Sequence, residues 1–224
     1  MIKFMFKSFF AIVVVVLFVG FYGIYSASAL PDWFDESKAN RDFANDAVNE
    51  QLNQGGVDLL AQKSLDILRG QVSFTEKEFN AMFLASLKAD ADGRKLLAVS
   101  DGIKVFLNEG EVAVTAVINL DKLAKVEPKA REAVEKFDRL FWVIEGNRIA
   151  VTVFGKPVVH NGGLAVDNMF HAKIGEISFS NDTLRQLKVP VEKAQNTYLD
   201  LQYLSLKEVT VKSNQIAFVV RPRF

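Results

Sequence analysis

His160 and His171 are the only imidazoles in the chain, and they set a low ceiling on its chemistry. His160 stands beside Asn161-Gly162-Gly163, where a hairpin turn is predicted, and His171 is expected to end a strand. A metal site needs several ligands at a recognisable spacing, and no H-x-H, H-E-x-x-H or carboxylate-rich loop accompanies either residue. Both read as surface or rim histidines. Asp167, His171, Ser178 and Ser180 supply the residue types of a nucleophilic triad, but no serine occupies a G-x-S-x-G elbow. Gly155-Lys156 and Gly162-Gly163 lack the G-x-x-x-x-G-K-S/T pattern of a phosphate loop and read as turn glycines. The carboxylate pairs Glu76/Glu78 and Glu109/Glu111 fall at a helix start and a hairpin turn, where capping and solvation use them. Asn181-Asp182-Thr183 has the form of a glycosylation sequon, which acts only in a eukaryotic secretory pathway. There is no cysteine, which excludes disulfides, thiolate zinc sites and a cysteine nucleophile. The residue types therefore predict no catalytic residue, no metal and no cofactor, and the chain is not expected to be an enzyme.

Apolar surface is what the chain has in quantity, with 19 phenylalanines among 224 residues. One helical stripe carries Phe79, Met82, Phe83 and Leu87, and a second carries Ala130, Ala133, Val134, Phe137, Leu140 and Phe141. The plain account is the core that a domain without disulfides needs. The sharper account is an apolar groove for an acyl chain, lined by Phe79, Phe83, Val105, Val114, Phe137, Phe141 and Val151. Phe106 and Lys104, on the face opposite Ile103 and Val105, indicate apolar residues on both faces of the sheet. Residue pattern alone does not separate a filled core from a lined groove.

The elements that must position these residues follow from periodicity. Residues 71–74 read as a short strand, and Thr75-Glu76-Lys77-Glu78 has the capping-box form that opens a helix. Ile103, Val105 and Leu107 alternate, Asn108-Glu109-Gly110 turns the chain, and Val112, Val114, Ala116, Ile118 and Leu120 alternate again. A helix is predicted over 128–141, with Pro128 in its first turn. Hairpins are predicted for 142–144 with 148–154, for 157–160 with 164–167, and for Val209 and Val211 with Ile216, Phe218 and Val220. Residues 173–179 read as one strand, 181–187 and 190–201 as short helices. The class is α+β: a curled antiparallel β-sheet with helices packed on one face, preceded by one N-terminal transmembrane helix.

Residues 9–29 carry no charge, with Lys3 and Lys7 behind them and Asp32, Asp35 and Glu36 ahead. Two readings fit. A transmembrane helix needs about 20 mostly apolar residues at 1.5 Å rise to cross about 30 Å of hydrocarbon. Tyr22, Tyr25 and Trp33 then cluster at the outer interface, where aromatic rings are favoured. A secretory signal ends in a small-residue site, and Ala27-Ser28-Ala29 supplies one. Under both readings Lys3 and Lys7 stay in the cytoplasm and the rest crosses the membrane. The expected location is the cell membrane, single-pass, with an extracytoplasmic C-terminal part, or secreted or periplasmic if cleaved after Ala29. The expected division is 1–29 as anchor or signal, 30–70 as a helical stalk, and 71–224 as an α+β domain. In the stalk a helix is predicted over 35–54, and a second leads into the strand at 71. Setting Lys3 and Lys7 aside leaves 25 basic against 27 acidic residues, so no basic stripe is available for nucleic acid.

A basic start, one apolar segment, a stalk and then Phe74-Thr75-Glu76-Lys77-Glu78-Phe79-Asn80-Ala81 resembles the YpmS-like membrane-anchored bacterial proteins. The hairpin over 103–120 and the helix carrying Leu184-Arg185-Gln186-Leu187 suit the same order. That group is similar to tubular lipid-binding (TULIP-like) domains, in which a curled sheet and a long helix form an apolar conduit. The resemblance implies lipid binding without catalytic residues, with the membrane and lipid acyl chains as partners. The alternative is a structural or interaction subunit of a cell-envelope complex, whose partners are other envelope proteins. There the same residues fill a solid core.

Overall fold

The computed structural model describes residues 29–34, 62–126, 147–167, 170–186 and 204–222. The apolar segment up to Ser28 and the helices expected over 35–54, 128–141 and 190–201 lie outside the described residues, as does the strand expected at 142–144. Among the described residues no helix is long and apolar enough to cross a membrane.

In chain order the elements are α1 Ser64–Leu68, β1 Gln71–Thr75, α2 Glu76–Ala89, α3 Ala91–Val99, β2 Ser100–Asn108, β3 Glu111–Asn119 and α4 Leu120–Val126. There follow β4 Arg148–Gly155, β5 Pro157–His160, β6 Gly163–Val166, β7 His171–Ile174, β8 Ile177–Phe179, α5 Asn181–Gln186, β9 Leu204–Lys212 and β10 Gln215–Pro222. The fold is α+β, and among the described residues every strand pairing is antiparallel. The strands divide into a five-stranded sheet ordered β2-β3-β4-β7-β8, a three-stranded sheet ordered β1-β10-β9, and the β5-β6 hairpin.

Residues 173–179 are not one strand: the chain turns at Gly175, whose φ is 51°, and β7 and β8 pair with Ala172 opposite Phe179. His171 therefore opens β7 rather than closing a strand. Two short helices were not expected, α3 in a stretch without a predicted element and α4 at the end of the β3 alternation. α3 starts on Asp90, whose carboxylate accepts from the backbone N–H of Asp92 and Gly93. α4 takes Leu120 out of β3, and Asn119 Oδ1 accepts from Lys122 N at its first turn.

The Phe74–Ala81 stretch shows why this segment folds as it does. Phe74 is buried and meets Phe218 edge-on at 6.1 Å. Thr75 caps α2: its Oγ1 accepts from Glu78 N, and Glu78 Oε2 accepts from Thr75 N at 2.7 Å. Burial alone would raise the Glu78 carboxyl, but the bonds from Thr75 and the nearby Lys63 hold it below its ordinary value. Thr75→Ala is expected to lower stability by about 0.5–2 kcal/mol, read as a lower urea midpoint at unchanged slope.

Two other polar residues of α2, Glu76 and Asn80, cover an edge. β2 is the outer strand of its sheet, and its outward backbone N–H groups need acceptors. Glu76 Oε2 accepts from Leu107 N and Asn80 Oδ1 from Val105 N, each at 2.9 Å. Four helical residues rise about 6 Å and two strand residues about 6.7 Å, so an i, i+4 pair matches alternate N–H groups. Further backbone bonds join the sheets at the same edge: Asn214 N donates to Leu107 O, and Gly110 N to Val211 O. At the other side Leu206 N donates to Gly162 O, which fixes the β5-β6 hairpin along β9. That hairpin turns on Asn161 and Gly162, both at positive φ (51° and 76°), the combination a two-residue primed turn requires.

Candidate apolar site

Strand register assigns every side chain of the large sheet to a face. Residues directly opposite share a face, so Val105, Val114 and Val153 lie in one row, with Ile103, Ala116 and Val151 in the next. This inner face meets α2, α3 and the three-stranded sheet through two apolar clusters. One gathers Leu84 and Leu87 of α2, Leu96, Leu97 and Val99 of α3, and Ile103, Ala116, Ile118, Ile149 and Val151 of the sheet. The other joins Val72, Phe74, Ile216 and Val220 of the small sheet to Val105 and Leu107 of β2. A third, around Phe170, Ala172, Ile174, Phe179 and Leu184, closes the β7-β8 end.

Between these clusters lies a set of apolar side chains that are only half-buried. Phe83 and Val114 pack against both the first and second clusters, and Val153 against the first and third. Val114 and Val153 are directly opposite one another on β3 and β4, the second and third strands of five. Interior strands of a covered sheet ordinarily bury such residues fully, as Ala116 and Val151 do one row away. Val159 and Leu164 of the hairpin and Val209 of β9 are half-buried against the second cluster. The hairpin closes one end: a Cβ on Gly155 would fall 2.5 Å from Val166 Cγ1, so Val166 occupies the place a side chain at 155 would take. The result is a short apolar strip on the inner face, bounded by α2, the sheet and the hairpin.

Of the residues expected to line a groove, the structure brings Phe79, Phe83 and Val114 together as half-buried neighbours of the second cluster. Val105 and Val151 lie on the same face but are 0 % exposed, so as folded they present no surface to a ligand. Phe137 and Phe141 lie outside the described residues. Val153, Val159 and Leu164 were missed. The alternation Ile149, Val151, Val153 gave the face of Val153, but its exposure depends on how far the helices and hairpin reach over it.

Among the described residues no three of His, Cys, Asp or Glu converge as a metal site would need. The polar residues that do cluster make a clamp. Asp101, whose side chain is 1 % exposed, accepts from Arg148 Nε at 2.6 Å and Asn119 Nδ2 at 3.0 Å, and pairs with Lys122 Nζ at 2.9 Å. It thereby ties β2 to the end of β3, the start of α4 and the start of β4. Burial works against the charged form of Asp101, but the bonds from Lys122, Asn119 and Arg148 prevail and hold its carboxyl below the ordinary value. With both cations committed to one carboxylate, the arrangement holds the ends of these elements together. His171 stacks on Phe154 with ring centroids 4.4 Å apart, and its Nδ1 lies 3.9 Å from Glu111.

No protein-family profile matches the chain, and no curated protein matches it. Among solved structures it is similar to a crystal structure titled as a lipopolysaccharide binding protein, at 13% identity and a TM-score of 0.22. That match covers 69% of this chain and 41% of the other, so this chain spans less than half of that protein's length. A likeness at that score assigns no role to any residue of the apolar strip.

Proposed function

We propose that this chain is a membrane-tethered, extracytoplasmic module that holds a lipid acyl chain in the apolar strip and performs no catalysis. The observation that carries the reading is the half-burial of Phe83, Val114 and Val153 in the middle of an otherwise covered sheet face. Apolar surface left open between packed clusters gains by covering, at roughly 25 cal/mol per Å² removed from water. An unbranched acyl chain fits a narrow strip without polar partners. The uncharged run at 9–29 supports delivery across, and attachment to, a membrane.

The competing reading, a structural subunit of an envelope complex, draws on different residues. Val105 and Val151 are solid core, while Leu65 and Leu68 on α1 are 64% and 77% exposed and offer an apolar contact to another protein. Val114→Trp separates the two. Under the lipid reading the added ring fills the strip, the melting temperature stays near the parent's, and lipid retention is lost. Full-length protein is purified in detergent, and bound lipid is extracted and measured by mass spectrometry. Unfolding of Val114→Trp, together with no lipid on the parent, would leave the subunit reading standing, because a core at packing density near 0.75 has no room for the ring.

A further inference from the structure

The outer face of the large sheet carries a second feature, unrelated to the apolar strip. By register its rows are Phe106, Ala113, Phe154 and His171, and next to them Lys104, Thr115, Thr152, Lys173 and Ser178; Ala113 and Thr115 are buried, and the others are half-buried or exposed. Onto this face folds the short segment 29–34, which turns at a Phe34 N to Pro31 O bond of 2.8 Å. Trp33 lies 6.3 Å from Phe106, between ring centroids, and 6.2 Å from Phe34. A Cβ on Gly102 would come within 3.1 Å of the Trp33 ring and 3.2 Å of Phe34, so the glycine is what lets both rings lie close on β2. Lys104 Nζ sits 4.7 Å from the Phe106 ring centre.

We infer that this outer face is the surface the domain turns toward the bilayer, meeting its phospholipid headgroups. The inference rests on the tethered reading of residues 9–29. Those 21 residues, as a helix, would rise about 31 Å, which matches the hydrocarbon thickness. From Ala29 to Trp33 the chain can reach at most about 14 Å even when extended. A domain of this size is on the order of 40 Å across. A docked tether shorter than the domain fixes which side lies against the membrane, and the docking point is β2. The side chains there suit a bilayer surface: Trp33 is of the type enriched at that depth, although its Nε1 is buried against the domain, the half-buried rings of Phe34 and Phe106 add apolar area, and Lys104 and Lys173 complement phosphate. Asp32, Glu109, Glu111 and Glu176 are acidic groups that border the face; Asp32, Glu109 and Glu176 are exposed at its rim, and Glu111 lies near His171.

The absence of cysteine makes the test clean, since any single introduced thiol is unique. Full-length variants Asn108→Cys and Ser178→Cys report from the outer face, and Lys95→Cys on α3 and Lys207→Cys on β9 report from elsewhere. Each is labelled with bimane and reconstituted into vesicles of phosphatidylcholine and phosphatidylglycerol containing a headgroup-nitroxide lipid. The expected result is loss of most fluorescence at 108 and 178 and little at 95 and 207. Substituting Trp33→Ser with Phe34→Ser should erase that contrast while the protein still floats with the vesicles. Equal quenching at all four sites, or contrast that survives the double substitution, overturns the orientation but leaves the tether intact. A parent protein that fails to float, with a mature N-terminus at Leu30, fails the tethered reading itself and the orientation with it.

Discussion

Asp101→Ala is expected to destabilise the protein by about 3 kcal/mol, the lower end of the range for breaking a buried ion pair, because it strands the largely buried Arg148. The Arg148 side chain is 12% exposed and its Nε donates to Asp101 Oδ2. Lys122, at 36% exposure, has a route to water once its partner is gone, so the penalty falls on Arg148 and on Asn119 Nδ2. The measurement is the urea midpoint at constant slope. Acid titration gives the same residue a signed test. A carboxyl held below its unfolded value contributes stability that is complete above that unfolded value, about 3.9 for aspartate, and lost as pH falls through the lower folded one. The parent should therefore lose stability on acidification below about pH 4 more steeply than Asp101→Asn, which has no carboxyl to protonate. Parallel acid profiles for the two proteins would mean that the clamp contributes nothing through charge.

Asp101 also marks where the sequence stops being legible. Its partners lie 18, 21 and 47 residues away, at 119, 122 and 148, and no local pattern connects them. The alternation begins at Ile103, whereas the structure extends β2 back through Ser100, Asp101 and Gly102. Asn80 is hidden in the same way: within the sequence it is a polar interruption of an apolar stripe, and its reason is the N–H of Val105, 25 residues on. What could be read was local. The capping box announced α2 because both of its hydrogen bonds fall within four residues. The β2-β3 hairpin followed from alternation on both sides of Asn108-Glu109-Gly110, and the observed register places Asn108 opposite Glu111.

The apolar strip was half legible for the same reason. Alternation gave Val105, Val114 and Val151 the correct inner face, since parity is a property of a single strand. Depth is not. Whether Val114 is half-buried and Val105 fully buried depends on where α2, α3 and the β5-β6 hairpin lie across that face. Their placement follows from Asn80, Glu76 and the close approach of Val166 to Gly155, all of them contacts between distant segments. α3 was invisible because nine residues beginning Ala91-Asp92-Gly93 carry turn chemistry and too short an apolar stripe to show a period.

Gly93→Ala inverts the usual expectation for a helix and is the sharpest test of how α3 is seated. A glycine inside a helix ordinarily gains about 0.5–1 kcal/mol on replacement by alanine, through lower unfolded-state entropy and better propensity. Here the added Cβ would fall 2.3 Å from Leu87 O, 2.7 Å from Leu87 Cα and 2.8 Å from Leu87 C. These are backbone atoms of α2, with no rotamer to move aside. The Leu87 carbonyl is also engaged, accepting from Asp90 N, and the Asp90 carboxylate in turn caps α3 through Asp92 N and Gly93 N. Relief requires α3 to move as a body, which pulls Leu96, Leu97 and Val99 out of the first cluster. Overpacking of this kind costs about 1–3 kcal/mol and more where the neighbours are rigid. Set against the propensity gain, the net loss should be about 2 kcal/mol or greater, seen as a lower midpoint in urea. Lys95→Ala, on the exposed side of the same helix, supplies the control, with a change within about 0.5 kcal/mol. If Gly93→Ala proved as stable as the parent, α3 would not be locked against α2, and the floor under Phe83 and Val114 would be free to shift with it.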